Sequence, residues 1–163
     1  METGVDPGAD PSRGRQMDTL IGVLNGAEAR YLVIGGQAVR LHGLPRFSMD
    51  WDIFIPPHDE NNFARITRAL GDDLDVELLP LGPRGENVIQ TYQTKWGVIQ
   101  FHLSVPGLPS FDDAERSCAT RLTEDGEPAK CLSARDLLAS KRTTNRPQDQ
   151  QDILFLEELL RQA

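Results

Sequence analysis

The stretch from Tyr31 to Ile55, YLVIGGQAVRLHGLPRFSMDWDIFI, constrains this chain more than any other. Tyr31 to Ile34 is an unbroken apolar run of strand-forming residues and reads as a buried strand. It ends at Gly35-Gly36. Gln37 to His42 then reads as a short helix, with Ala38, Leu41 and His42 at helical spacing and with Gly43 and Pro45 as its stop. A strand, a glycine pair and a helix start in succession make a phosphate cradle: glycine lets the backbone come close to an anion, and the free N–H groups of the first helical turn point at it. A second strand follows as Asp50 to Ile55. Successive strand residues face opposite ways, so Asp50 and Asp52 share one face while Trp51, Ile53 and Ile55 take the other. Two neighbouring carboxylates repel each other and are costly to bury, so something must offset them. A divalent cation is the simplest candidate, since Mg²⁺ takes one or two carboxylates together with substrate phosphate oxygens. The plainer alternative is a strand-to-helix turn followed by a solvated strand edge.

Composition narrows the class. At 163 residues the chain suits one domain with a proper core. With 39% hydrophobic and 26% charged residues it is ordinary for a soluble globular protein. No apolar run approaches membrane-spanning length and no signal-peptide pattern opens the chain, so the expectation is a cytoplasmic protein without membrane contact. Cys118 and Cys131 lack metal-site spacing and fit buried thiols in a reducing compartment. The net charge of −8 opposes a broad DNA-binding surface, but leaves room for a local basic pocket for a nucleotide or one RNA end.

Along the chain, residues 1–14 are rich in Gly, Pro and Asp and read as a disordered tail, leaving 15–163 as a single domain. A helix is expected from Met17 to Ala27. After Pro56-Pro57 a helix starts near His58, with Phe63, Ile66, Thr67 and Leu70 as its stripe and Arg65 and Arg68 solvated. Leu74 to Leu79 is expected to be a third strand, Val88 to Tyr92 a short edge strand, and Gly97 to Val105 another strand with Gln100, His102 and Ser104 on one face. A short helix from Phe111 to Cys118, a hairpin turning at Glu124-Asp125-Gly126, a helix capped by Ser133 and a last helix opened by Pro147 complete the pattern. The whole reads as an α/β (α+β) domain: a mixed, twisted sheet with flanking helices and a closing helical pair over 132–163.

The string Gly35-Gly-Gln-Ala38, His42-Gly43, Arg46 and Asp50-x-Asp52 resembles the signature of the nucleotidyltransferase superfamily, which includes DNA polymerase beta. It looks most like the small prokaryotic branch with the AbiEii-type toxins of type IV toxin–antitoxin systems. A second segment, Leu132-Ser-x-x-Asp-Leu137, Lys141, Arg146-Pro147, Asp149, Asp152-Ile153 and Leu156, resembles the C-terminal pattern of the same proteins. The resemblance implies transfer of a nucleoside monophosphate from an NTP to a hydroxyl of protein, RNA or a small molecule. Gly35, Gly36 and the N–H of Gln37 would hold phosphates. Arg46 and Lys141 would supply positive charge, and Asp50 and Asp52 would carry Mg²⁺ or Mn²⁺. Asp149 and Asp152 would tie Lys141 or Arg146 in place; the plainer reading of these residues is a helix junction stapled by surface ion pairs. A cognate toxin or antitoxin is the partner the resemblance implies.

One departure stands out. The superfamily supplies a third carboxylate from a neighbouring strand, and near the expected position this chain has Gln100 and His102. His102 could ligate a metal or accept a proton, and Glu77 is a rival for the acid if its own segment is the relevant neighbour. The alternative to an active enzyme is therefore a degenerate relative that binds nucleotide or a partner protein without turnover.

Overall fold

A computed structural model of the protein describes residues 19–163. The expectations for residues 1–14 and for Met17 lie outside the described residues. The first helix, α1 (Leu20–Gly26), opens at Thr19, whose hydroxyl accepts the Gly22 N–H at 3.0 Å, and it buries Leu20, Ile21 and Leu24. The organising stretch then forms β1 (Leu32–Ile34), α2 (Gly35–Leu41) and β2 (Trp51–Phe54). Asp59 caps α3 (Glu60–Leu70), which buries Phe63, Ile66 and Leu70 and leaves Arg65 and Arg68 exposed. A hairpin of β3 (Ile89–Thr94) and β4 (Gly97–His102) follows. Ser110 caps α4 (Phe111–Arg116), and a second hairpin pairs β5 (Ala119–Leu122) with β6 (Pro128–Cys131). Ser133 caps α5 (Ala134–Thr144), and a 3₁₀ turn over Pro147–Asp149 leads into α6 (Gln150–Gln162).

The six strands form one mixed sheet in the order β3-β4-β2-β1-β6-β5. β1 and β2 run antiparallel, while β2 pairs with β4, and β1 with β6, in parallel. The register places Ile34, Asp52 and Gln100 in one row across β1, β2 and β4. Leu32, Val33, Ile53, Ile99 and Phe101 are wholly buried, so the central strands are the core. Phe54 and Phe111 meet edge to face with centroids 5.2 Å apart, fastening α4 to β2. The expected mixed sheet with flanking helices and a closing helical pair is present, and among the described residues no helix is long and apolar enough to cross a membrane.

Two local expectations fail for identifiable reasons. Leu74 to Leu79 is not a strand: Gly71–Asp73 forms a 3₁₀ turn and the segment runs on irregularly. Burial falls at Leu74 and Leu78 while Val76 is exposed, a spacing of four that breaks the alternation the sequence suggested. The side-chain amide of Gln90 satisfies both the N–H and the C=O of Leu79, at 2.9 and 2.8 Å, and so replaces a ladder partner. Helix α2 begins at Gly35, not at Gln37, because Gly35 adopts φ +69°, which lets the chain turn straight out of β1.

Candidate nucleotide site

Residues from both ends of the chain meet at one cleft of about 380 Å³. Gly35 and Gly36 come from the β1–α2 turn, Arg46, Ser48, Met49 and Asp50 from the loop after α2, Asp52 from β2, Lys141 from α5, and Arg146, Gln148 and Asp149 from the junction with α6. β6 lies parallel beside β1, and this delivers α5 to the edge of the glycine turn.

Space is tight at both glycines. A Cβ on Gly35 would stand 2.7 Å from Asp52 Oδ2. One on Gly36 would stand 3.0 Å from Ser48 Oγ and 3.3 Å from the Arg46 guanidinium carbon. The backbone at the start of α2 is therefore bared to the cleft, and Ile34 at the N-cap offers no side-chain acceptor to its free N–H groups. Gln37 does not line the cleft; its side-chain amide donates to the Ser48 carbonyl at 2.9 Å, fixing the loop that carries Asp50.

Asp50 stands just ahead of β2 and is exposed, and Asp52 is half-buried inside the strand. His102 on β4 reaches Asp52: its Nε2 lies 2.9 Å from Oδ1. Directly across from Asp52 stands Gln100, an amide where an acid was sought. Glu77 is exposed, lies on the irregular segment and does not line the cleft, which removes it as the rival acid. Among the described residues no three His, Cys, Asp or Glu side chains are grouped to cage a metal. The donor set that is present, two carboxylates opening on a cleft with a bare glycine backbone, fits a hard dication that completes its shell with water and phosphate oxygens.

Behind the cleft is a chain of charges. Lys141 Nζ lies 3.0 Å from Asp149 Oδ1 and 3.2 Å from Asp152 Oδ2. Asp152 also pairs with Arg46, and Asp149 accepts from Arg146 Nε at 2.8 Å and Nη2 at 3.2 Å. Lys141, Asp149 and Asp152 are buried, so the surface ion-pair alternative is corrected: these pairs are internal and hydrogen-bonded. Burial works against the Asp149 carboxylate, yet hydrogen bonds from Arg146 and Lys141 outweigh it and hold the carboxyl below its usual range. The same contact from Asp149 raises the Arg146 guanidinium further. The tie between Arg46 and Asp152 was not read from the sequence, because the two residues lie in separate segments and only the fold joins them.

The cleft walls thus carry three carboxylates (Asp50, Asp52, Asp149) against three cations (Arg46, Lys141, Arg146). A bound dication would tip this balance to net positive, which suits a polyphosphate.

Neither a protein-family model nor a characterised protein sequence matches the chain. Solved structures do. A protein of Thermotoga maritima, described as a putative nucleotidyltransferase, aligns over 94% of this chain and 95% of its own at 14% identity, with a TM-score of 0.59. The chain has a nucleotidyltransferase-like fold. The solution structure of the antibiotic-resistance factor ANT(2'')-Ia is also similar, at 14% identity over 94% of each chain, with a TM-score of 0.48. In the nucleotidyltransferase-like fold of this chain, the glycine turn and the aspartate strand sit side by side at the centre of the sheet.

Proposed function

We propose that the protein is a Mg²⁺-dependent nucleotidyltransferase that moves a nucleoside monophosphate from an NTP to a hydroxyl, releasing pyrophosphate. The observation that carries this reading is the glycine turn packed against Asp52, where a single methyl group at Gly35 would fill the space beside the carboxylate. Backbone N–H groups at Gly35, Gly36 and Gln37 hold the β- and γ-phosphates at the start of α2. Arg46 and Lys141 stabilise the charge that builds on the pyrophosphate leaving group. Asp50 and Asp52 would hold the dication, Mg²⁺ or Mn²⁺ in its place, which when bound would supply charge neutralisation at the phosphates. His102 orients the Asp52 carboxylate through its Nε2 contact and is a further metal-ligand candidate.

The small prokaryotic resemblance extends the proposal to a cytoplasmic AbiEii-like enzyme of a toxin–antitoxin or defence pair, with a partner protein or RNA as acceptor. The test is transfer of label from each α-³²P-NTP to protein and RNA of a cell extract, with Mg²⁺ or with EDTA. Label transfer that requires Mg²⁺ and disappears in Asp52→Ala supports the reading; no transfer with any NTP contradicts it. One observation favours a second reading: Gln100 faces Asp52 where a further carboxylate would assemble a second metal. Saturable Mg·NTP binding without label transfer to any acceptor would support this non-catalytic nucleotide-binding protein.

A further inference from the structure

A second cavity, of about 510 Å³, opens where β2 and β4 run out toward α4. Its floor is apolar: Phe54, Leu103 and Phe111 are buried beneath it. Its mouth is charged. Arg30 places its guanidinium 5.2 Å above the Phe111 ring and donates to Asp59 at 3.1 Å, to Asp112 at 2.8 Å and to Glu115 at 2.8 and 3.3 Å. One cation thus answers three carboxylates, and the mouth keeps a surplus of negative charge. Asp112 in particular is 68% exposed at its side chain even with Oδ1 accepting from Arg30, so the carboxylate stays within reach of a cation from outside.

The walls are held in place before anything binds. Gly107, at φ +87°, lets the 106–109 loop lie against α5, where a Cβ would stand 2.6 Å from Thr143 Oγ1 and 2.8 Å from the Ala139 carbonyl. Leu108 N–H closes a turn on Val105 O at 3.2 Å, and Ser110 caps α4 by accepting the Asp113 N–H at 3.1 Å. A groove of this size with an apolar floor and fixed walls is the common form of a binding site.

We propose that this groove docks a polypeptide segment of a partner protein that carries a leucine or phenylalanine beside a lysine or arginine. The apolar side chain packs against Leu81 and Leu108, the half-buried apolar residues of the lining, and the cation answers the surplus at Asp59 and Asp112. The chain's net charge of −8 draws such a partner in and speeds its encounter. The place matters as well. Phe54 follows Asp52 by two residues on the same side of β2 and stands across from His102 in the register, and Ser104 lies just past the end of β4. The groove therefore begins roughly 7 Å along the strands from the Asp52–His102 contact, and a docked segment lies next to the candidate nucleotide cleft.

The probe is an array of synthetic octapeptides that pair Leu or Phe with Lys or Arg, titrated into the ¹⁵N-labelled full chain without Mg²⁺ or nucleotide. Counterparts carry Glu for the basic residue or Ser for the apolar one. Saturable binding by basic–apolar peptides is expected, with amide shifts confined to residues 54–59 and 103–115. Ser104→Trp, which fills the groove from an exposed position, and Asp112→Lys, which reverses the exposed charge, should each weaken it at least tenfold while the amide spectrum stays folded. Equal binding of the Glu counterparts, wild-type affinity in Ser104→Trp, or no binding by any basic peptide overturns the proposal. Because no nucleotide is present, the result stands apart from that of the transferase assay.

Discussion

At Gly35 two demands meet: a left-handed backbone angle, and an approach to Asp52 Oδ2 that leaves no room for a methyl group. Gly35→Ala must therefore strain the backbone and displace the carboxylate together. The expected cost is about 1–3 kcal/mol of stability, measured by urea denaturation, with loss of any Mg·NTP stabilisation. Wild-type behaviour in both measurements would contradict the packing described for the cradle. His42 offers an independent test at the same scale. Its Nε2–H donates to the Leu132 carbonyl at 2.8 Å, while Nδ1 is buried with no partner. Burial holds the imidazole below its ordinary value of 6.5, so the unfolded chain takes up a proton that the folded chain refuses. Stability is then complete above about pH 6.5 and falls as the pH drops below that value. Urea midpoints from pH 8 to pH 5 should decline, and His42→Gln should flatten the decline across the range nearest 6.5. An equal slope in wild type and variant would show that His42 is not the group responsible.

Among elements, the α5–α6 junction is where burial changes the argument. Leu137 and Leu138 announce an ordinary packed helix, and the Arg-x-x-Asp-x-x-Asp pattern announces ion pairs, but neither says that those pairs are internal. With Lys141, Asp149 and Asp152 buried, removing Asp149 takes the nearer carboxylate from Lys141 and leaves it only Asp152, which is shared with Arg46. Asp149→Ala should cost about 3–5 kcal/mol by denaturant unfolding. Asp50→Ala, at an exposed carboxylate, should stay within about 0.5 kcal/mol of wild type. A mild effect at Asp149 would return the pairs to the surface class. The same scale accounts for the one expected strand that is absent. Leu74 to Leu79 has the composition of a strand, yet its partner is the Gln90 amide, and nothing in a one-dimensional pattern reveals that a single side chain takes the place of a ladder.

For the whole molecule, what the sequence made legible was local and what it hid was long-range. The run from Tyr31 to Ile34, the glycine pair, the Asp-x-Asp strand and the capped start of α5 each carry their own short-range chemistry, and each element is present. Of the residues expected at the site, Gly35, Gly36, Arg46, Asp50, Asp52 and Lys141 line one cleft, whereas Gln37 and His102 do not line it. Sheet order was not legible. That β6 lies parallel to β1, and so carries Lys141 across to the glycine turn, depends on which strands pair, and pairing leaves no periodic trace. Nor was the Arg46–Asp152 tie, which joins the loop after α2 to α6 and fixes the cleft from both ends of the fold.

The most direct test of the nucleotide site is thermal unfolding of the full chain with Mg²⁺ and each of the four NTPs, wild type beside Asp50→Ala/Asp52→Ala. A ligand present at about a hundred times its Kd adds about 2.7 kcal/mol, a rise in Tm of about 5 °C or more for a chain of this size. We expect that rise with at least one NTP, dependent on Mg²⁺ and absent from the double variant. No rise with any NTP, or a rise of equal size in the double variant, would contradict a nucleotide site at Gly35, Asp50 and Asp52.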